Sequence, residues 1–502
     1  MAAEEVRTTA GAVRGRREDG LTVFRGIPFA APPVGPARFQ APTPPEPWTG
    51  VREAYEFGAP PPQEAVLPGA PTAEGDDDWL TANVWTPDPA PQAPRPVMVW
   101  IHGGAYKTGF SGSPGYDAQH ISRKGDVVVV TFNYRLGIEG FVHMEGAPAN
   151  RGLLDQVAAL EWVRDNIAEF GGDPGDVTVF GQSAGASSIA ALLAMPSARG
   201  LFHRAIAQSI SGVYFSAPLA RDIAAAIAAE AGVRPTAADL AAIPPRKLTG
   251  AGEALAAKMA TYARWGQVAP TALPYAPVVD GEILPKTPWQ AVTAGEARDI
   301  DLLVGHNSQE FRLFTVMGNL LGRITEDQAT AALRMYAPGA GEAGERAYRE
   351  AFPDATAQDL FERVQSDWLF AMPSLRLAEA QLTAGGSAHL YELTWTPPAH
   401  GGILRGCHAL DVPLLFGTYA ADMGAIAFPD GEVPPDAADL TARFQTSWTS
   451  FARTGDPGWE TYDPERRLTQ ILDTPSQVSR YPEETARELW EGYEWEALPL
   501  VE

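Results

Sequence analysis

The chain has 502 residues, of which 45% are hydrophobic and 20% are charged, a composition typical of a globular protein with a large core. Its formal net charge of −24 argues against a nucleic-acid partner, because phosphate binding depends on a basic surface. No stretch approaches the ~20 apolar residues of a membrane-spanning helix, so we expect no membrane partner.

Strand-like and helix-like segments alternate along the middle of the chain. Short apolar runs such as VMVWI predict buried strands, and apolar side chains spaced by three and four residues predict helices. In chain order the predicted elements are a strand at 97–101, a strand at 126–132, a helix at 153–170, a strand at 177–180, a helix at 186–195, and strands at 301–305 and 388–393. The alternation predicts an α/β fold with a large, mostly parallel central sheet flanked by helices.

The domain organisation follows from what the chain lacks. It shows no internal repeat and no long run of glycine, serine or proline that would link two domains, so we predict a single domain over residues 1–502. Residues 325–382 are rich in alanine, leucine, arginine and glutamate, which favour helices. They predict a helical subdomain inserted at about residues 316–387, flanking the functional site.

The pentapeptide Gly181-Gln182-Ser183-Ala184-Gly185 matches the G-x-S-x-G pattern of a nucleophile elbow. The pattern alone is weak in a chain rich in glycine and alanine, but here a predicted strand precedes it and a predicted helix of small residues follows. Such a turn holds the serine hydroxyl above the sheet edge and at a helix N-terminus. We therefore predict that Ser183 is a nucleophile on an α/β-hydrolase fold.

A serine hydroxyl needs a base, usually a histidine that a carboxylate orients, and in this fold the chain order is serine, acid, histidine. That order and the predicted elements exclude six of the eight histidines: His102, His120, His143, His203, His306 and His389. His400 and His408 remain. His400 lies in a Pro- and Gly-rich segment typical of an exposed turn, whereas an apolar run at 409–416 follows His408. His408 is therefore the predicted base.

The acid is expected just after a strand beyond the elbow. Glu310 follows the predicted strand at 301–305, and apolar side chains at 311, 313 and 314 can bury its surroundings. A buried carboxylate fixes the histidine tautomer and stabilises the imidazolium. We predict that Glu310 is the acid, with Asp301 as the alternative.

Acyl transfer also requires hydrogen-bond donors for the oxyanion. The sequence His102-Gly103-Gly104-Ala105 follows the predicted strand at 97–101, and its small residues let backbone N–H groups approach a substrate. The N–H group of Ala184, directly after the nucleophile, is the expected second donor.

Several blocks together resemble the type-B carboxylesterase/lipase family, in particular its bacterial p-nitrobenzyl esterase-like members. They include residues 24–30 (FRGIPFA), 83–87 (NVWTP), 133–137 (NYRLG) and 170–174 (FGGDP). The resemblance implies the α/β-hydrolase fold and broad hydrolysis of short-chain or aromatic esters, with a small-molecule ester as partner. It implies neither a metal nor a cofactor, and we expect a monomer or a weak homodimer. The implied site residues are Ser183, Glu310 and His408 as the catalytic triad, with Gly103, Gly104, Ala105 and Ala184 at the oxyanion hole.

Two departures from the family pattern bear on these expectations. The early segment that carries a disulfide cysteine in secreted eukaryotic members reads DDWL at 77–80, and Cys407 is the only cysteine, which excludes an internal disulfide and a cysteine-based zinc cluster. Residues 1–17 contain no apolar segment of a signal peptide. We therefore expect a cytoplasmic protein, or a secreted one if a leader was removed. The second departure is Gln182, the residue before Ser183, which stands where the family more usually has glutamate.

Alternatives remain open at the level of the sequence. An amidase, a thioesterase and a true lipase share the oxyanion-stabilising chemistry and differ mainly in leaving group and pocket shape. A non-catalytic adhesion module on the same fold is a further alternative, because fold alone does not determine function. The presence of serine, acid, histidine and oxyanion loop favours an enzyme.

Overall fold

The computed structural model describes residues 3–64, 77–429 and 431–501. Over these ranges, fifteen β-strands form one large sheet and one small sheet. The strands are β1 (Ala3–Arg7), β2 (Ala12–Glu18), β3 (Leu21–Pro28), β4 (Val51–Glu53), β5 (Thr81–Thr86), β6 (Arg95–Ile101), β7 (Val128–Phe132), β8 (Gly172–Gln182), β9 (Arg204–Gln208), β10 (Phe215–Ser216), β11 (Val278–Val279), β12 (Asp301–Asn307), β13 (Ala388–Leu393), β14 (Leu468–Leu472) and β15 (Gln477–Arg480).

The large sheet is mixed, with a parallel centre. Its order is β1-β2-β3-β5-β7-β6-β8-β9-β12-β13-β14-β15, with β4 paired to β2. Pairing is parallel from β7 through β14, and it is antiparallel from β1 to β7 and between β14 and β15. The predicted α/β fold is confirmed. The antiparallel N-terminal part was not predicted; within it, β2 and β3 form a hairpin whose turn, Asp19-Gly20, has positive φ at both residues.

The α-helices of the described residues lie between and after these strands. They are α1 (Gln119–Gly125), α2 (Gly137–Phe141), α3 (Arg151–Asn166), α4 (Ala184–Ala194), α5 (Ala217–Glu230), α6 (Ala237–Ala241), α7 (Pro245–Ala256), α8 (Pro288–Thr293), α9 (Arg312–Met317), α10 (Glu326–Tyr336), α11 (Gly341–Ala351), α12 (Ala357–Ser366), α13 (Met372–Thr383), α14 (Asp411–Phe416), α15 (Met423–Ala427), α16 (Pro435–Thr454) and α17 (Glu484–Leu489). Within the described part of the chain, no helix is both long enough and apolar enough to span a membrane.

The central strands are buried on both faces, as their continuous apolar runs predict. In β6, Val97 and Val99 belong to one hydrophobic cluster, which includes α3, α4 and α13. Met98 and Trp100 belong to the other, which includes α16. Side chains of a strand alternate between its faces, so each face of the sheet is covered by helices.

The predicted elements match the structure with small shifts at their ends. The strand expected at 126–132 begins at Val128, because Asp126 has a φ of 49° and ends α1. The helix expected at 153–170 ends as a 3₁₀ turn over Ile167–Phe170, and Gly171, with a φ of 83°, stops it. The strand expected at 177–180 is longer and extends over Gly172–Gln182.

Helices fill the connection between β12 and β13, where the helical insertion was predicted. Helices α9 to α13 all lie there, in a stretch that is described throughout. Helix α10 packs on both α11 and α12, whereas α13 packs on β12 and β13. The boundary of a separate subdomain at about 316–387 stays a prediction.

A fully buried ion pair connects the loop after β7 to α3. The Asp155 carboxylate accepts hydrogen bonds from the backbone N and the guanidinium of Arg135 at 2.7 to 2.9 Å, and neither side chain has exposed surface. Replacing Asp155 with asparagine leaves the buried guanidinium without its counter-charge, so we expect the free energy of unfolding to fall by about 3–5 kcal/mol. Urea denaturation measures this change.

The exposed pair Arg164–Asp165 provides the control, because both of its side chains are about half exposed. Replacing Asp165 with asparagine should cost less than about 1 kcal/mol. Equal losses for the two variants would contradict the importance that we assign to the buried pair.

Candidate active site

The candidate site lies at the carboxyl edge of the parallel strands. The loops that follow β6, β8, β9, β12 and β13 begin at residues 102, 183, 209, 308 and 394. In open α/β sheets these loops meet at one edge and form the usual ligand crevice. Residues far apart in the chain are therefore brought to one place.

Ser183 occupies a sharp turn between β8 and α4. Its φ of 57° and ψ of −123° are strained for a residue with a side chain, and its N–H group donates to the carbonyl of Gln208 at 2.9 Å. A Cβ atom at Gly185 would lie 1.9 Å from the carbonyl oxygen of Ile101, and one at Gly181 would lie 2.6 Å from it. The two glycines are therefore required for the turn to pack against β6.

Ser183, His408 and Glu310 form a chain of short polar contacts. His408 Nε2 lies 2.9 Å from Ser183 Oγ, and His408 Nδ1 lies 2.6 Å from Glu310 Oε2. Glu310 has no exposed surface and His408 is 5% exposed. Because a carboxylate accepts hydrogen bonds, Nδ1 carries the proton and donates to it, which leaves Nε2 free to accept from the serine hydroxyl.

Two groups that the sequence analysis missed hold the other carboxylate oxygen. Ser209 Oγ donates to Glu310 Oε1 at 2.5 Å, and the backbone N–H group of Asn307 donates to the same oxygen at 2.7 Å. Both groups lie at the ends of β9 and β12, which pair in parallel. No local sequence pattern marks them, since their contact with Glu310 exists only in the folded chain.

A second buried carboxyl group, Asp411, lies three residues after His408, at the start of α14. Gln208 Nε2 donates to its Oδ2 atom at 2.6 Å, and Tyr391 OH approaches the same atom at 3.4 Å. Burial raises the pKa of Asp411 to about 6, although the hydrogen bond from Gln208 acts in the opposite direction. The carboxyl group thus anchors the start of α14, and with it the loop of His408, to β9 and β13.

The glycine-rich loop after β6 has an unusual backbone. Gly104, Ala105 and Tyr106 all have positive φ, at 111°, 54° and 57°. The ring of His102 helps to hold the loop in place. Its Nδ1 atom lies 2.9 Å from the Gly103 carbonyl oxygen, and the ring stacks on Tyr134 at 4.4 Å between centroids. Burial lowers the pKa of His102 to about 4, so the ring is neutral near pH 7.

A cavity of about 550 Å³ joins these elements. Ser183, His408 and Ala184 line it together with residues 103–105, so the predicted nucleophile, base and oxyanion residues face one space. Most of the remaining lining is apolar, and no described lining residue is an aspartate or a glutamate. The apolar and aromatic wall includes Val213, Leu273, Phe311, Leu313, Phe314, Met317, Trp368, Leu369, Phe370, Met423 and Ile426.

The alternatives for acid and base lie elsewhere. Asp301 is at the amino end of β12, with its carboxylate 3.6 Å from Arg204, whereas Glu310 follows the carboxyl end of that strand. His400 is exposed, in a turn, and its Nε2 atom is 3.2 Å from the carbonyl of Ile426. Neither side chain lines the cavity.

Two neighbours of His408 singled out in the sequence have defined places. Gln182 Nε2 lies 3.2 Å from His408 Nε2, on the side of the ring that faces the serine. Cys407 is fully buried in a hydrophobic cluster, and burial raises the pKa of its thiol. Cys407 therefore packs as a small hydrophobic residue of the core.

Known proteins match this chain over most of its length. The model of the carboxylesterase family matches residues 2–490. The para-nitrobenzyl esterase of Bacillus subtilis (strain 168) is 36% identical, over 97% of this chain and 98% of the relative. The phenmedipham hydrolase of Pseudarthrobacter oxydans is 35% identical, over 90% of each chain.

Solved structures agree with these relatives. The crystal structure of the carboxylesterase EST55 of Geobacillus stearothermophilus superposes with a TM-score of 0.84 at 36% identity, over 97% of this chain and 99% of that one. A p-nitrobenzyl (PNB) esterase structure gives a TM-score of 0.85 at 34% identity, with the same coverage. The resemblance seen in the sequence and the predicted α/β-hydrolase fold are both confirmed. The chain belongs to the carboxylesterase family and is a serine hydrolase of carboxylic esters.

Proposed function

We propose that Ser183, His408 and Glu310 are the catalytic triad of this esterase. The observation that carries the proposal is the contact chain of 2.9 Å and 2.6 Å from the Ser183 hydroxyl through the imidazole to the buried carboxylate. His408 takes the hydroxyl proton as Ser183 attacks the ester carbonyl, and then gives it to the leaving alcohol. Water, activated by the same imidazole, hydrolyses the acyl-enzyme and releases the acid. These side chains supply the chemistry without a metal or a cofactor.

The proposed oxyanion hole consists of the backbone N–H groups of Gly104, Ala105 and Ala184, with Gly103 completing the loop. Three features support this assignment: the loop lines the cavity beside Ser183, its backbone has positive φ, and Ala184 begins α4. N–H groups at a helix N-terminus are directed at an incoming anion. Such donors stabilise the negative charge that develops on the carbonyl oxygen.

Gly104→Ala should lower kcat by about 10²- to 10³-fold, the usual cost of losing an oxyanion donor. A Cβ atom at this position would lie 2.0 Å from the carbonyl oxygen of Thr108, so the loop must move. Steady-state kinetics with p-nitrophenyl acetate measures the change. Gly200→Ala serves as control, because a Cβ atom there meets no atom within 4 Å and the site is outside the cavity, although φ is positive at both glycines. A wild-type kcat for Gly104→Ala would contradict the assignment.

We infer a broad specificity for short-chain or aromatic esters. The volume of about 550 Å³, the aromatic wall and the absence of carboxylates from the described lining favour neutral, apolar acyl or alcohol groups. The name of one relative, para-nitrobenzyl esterase, agrees with an aromatic group. Hydrolysis of p-nitrophenyl esters from acetate to palmitate tests the inference, and we expect the highest kcat/KM at short chains. A maximum at palmitate would favour a true lipase instead.

The leaving group distinguishes the remaining enzyme classes. Anilides, thioesters and oxygen esters that share one acyl group should be compared at equal concentration. The oxygen ester should have the highest kcat/KM, and a higher value for the anilide or the thioester would identify an amidase or a thioesterase.

We further propose that the chain is one domain with a helical insertion at about 316–387, that it is a monomer or a weak homodimer, and that it is cytoplasmic. The single cysteine supports a cytoplasmic location, because a chain with one cysteine forms no internal disulfide and disulfides are typical of oxidising compartments. Sedimentation at several concentrations tests the oligomeric state. A stable oligomer larger than a monomer, whose sedimentation does not change with protein concentration, would contradict the proposed oligomeric state.

A further inference from the structure

An aromatic ring stacks on one face of the His408 imidazole, a feature that the triad alone does not require. The ring of Phe370 stacks on the imidazole, with 4.2 Å between centroids and 27° between planes. Phe314 lies 5.4 Å from the imidazole and stacks parallel to Phe370 at 6.2 Å. Hydrogen bonds at Nδ1 and Nε2 hold the edge of the imidazole, and the Phe370 ring packs on its face.

Phe370 comes from a short π-helix, Asp367–Ala371, between α12 and α13. The N–H group of Met372 bonds to the carbonyl of Asp367, five residues back, which widens the turn. Pro373 has no N–H group to give to the carbonyl of Leu369. That carbonyl accepts instead from the N–H group of Gly212 at 2.9 Å. π-Bulges of this kind occur frequently at functional sites.

The π-helix is hydrogen-bonded to the same loop, after β9, that holds the Glu310 carboxylate. The loop after β9 contains Ser209, which donates to Glu310, and Gly212, which binds the π-helix. Between them, the N–H group of Ile210 donates to Ser374 Oγ at 3.1 Å. Phe370 is itself buried. One segment thus fixes both the carboxylate at the edge of the imidazole and the phenyl ring on its face.

We propose, on the basis of the triad proposed above, that Phe370 is a positioning residue for His408. Its ring prevents the imidazole from tilting, so that Nε2 stays aligned with Ser183 Oγ. The negative face of the phenyl ring also stabilises the imidazolium that forms each time His408 takes the serine proton. A buried aliphatic side chain would fill the same space and would provide neither the flat surface nor the quadrupole.

The test is the pre-steady-state burst with p-nitrophenyl acetate, whose small acyl group makes little use of the cavity wall. The burst separates the acylation rate constant from substrate binding. For Phe370→Leu we expect the acylation rate constant to fall about 5- to 20-fold, as the loss of one stacked cation–π contact predicts, with binding changed less than about twofold. Phe370→Tyr keeps the aromatic face and should recover most of the rate.

Phe361→Leu is the matched control. Phe361 lies on α12, its ring contacts Phe311, and it neither lines the cavity nor contacts His408, so its acylation rate constant should stay at the wild-type value. If Phe370→Leu does not fold, Phe370→Met replaces it, because a flexible thioether fills irregular space and also lacks a ring.

Two outcomes would overturn the inference. One is an acylation rate constant for Phe370→Leu or Phe370→Met within about twofold of wild type; the other is a Phe370→Tyr variant as slow as Phe370→Leu. Both are distinct from a failure of the triad itself. That failure would appear as activity retained by Ser183→Ala, whatever the behaviour of the Phe370 variants.

Discussion

Ser183→Ala should reduce kcat by about 10⁶-fold, the loss typical of removing the nucleophile from a serine triad. The alanine cannot form the acyl-enzyme, so the residual rate comes only from binding and from the oxyanion donors. KM should change little, because the cavity wall keeps its shape. Hydrolysis of p-nitrophenyl acetate measures the rate, and covalent labelling by an organophosphate should disappear in the same variant.

Ser188→Ala is the control for this substitution. Ser188 is buried on the same helix, α4, where its hydroxyl accepts a hydrogen bond from Gln156 and does not line the cavity. Its kcat should stay within a few-fold of wild type. If Ser183→Ala kept a hundredth or more of the wild-type kcat, Ser183 could not be the nucleophile.

His408→Gln should reduce kcat to a similar degree, about 10⁶-fold. Glutamine has the size to fill the space and can donate to Glu310, but its amide cannot take the serine proton. The remaining Glu310 carboxylate cannot substitute for it, because Ser183 Oγ contacts the far nitrogen of the imidazole. Steady-state kinetics from pH 6 to 9 should show the loss at every pH.

His400→Gln tests whether the assignment of the base is specific. His400 is exposed, and its ring approaches only the carbonyl of Ile426 among the described contacts. Its replacement should leave kcat unchanged within about twofold, as expected for a surface substitution. The opposite pattern, in which His400→Gln is inactive and His408→Gln is active, would assign the base to His400.

The sequence was most informative about features that depend on residues close together in the chain. Strand β6 was predicted within two residues, because a continuous apolar run that ends at a turn has few other conformations, and β13 was predicted with its observed bounds. The elbow was recognised for the same reason, since a strained serine at a strand end needs small neighbours such as Gly181 and Gly185. The order of serine, acid and base along the chain, together with the predicted elements, then reduced eight candidate histidines to two.

What sequence reasoning missed depends on contacts between distant segments. Ser209 reaches Glu310 across 101 positions, and Phe370 meets His408 across 38, so neither contact leaves a periodic signal. The π-helix has one local sign, Pro373, but a proline after a helical run more commonly marks a helix start. The antiparallel edge was also missed, because strands β1 to β4 lack the valine runs that identify central strands such as β7.

The glycines at the nucleophile elbow have no space for a side chain, so substitutions there are not tolerated. Other parts of the active site can be redesigned. No side chain fits at Gly185, and Gly181 and Gly103 face backbone atoms at less than 3 Å. The wall of the cavity, by contrast, comes largely from residues 311–317 and 365–370, which belong to the helical connection between β12 and β13. New substrate ranges should therefore be reached by mutating these two segments, apart from Phe370, while the sheet edge that carries the chemistry is left intact.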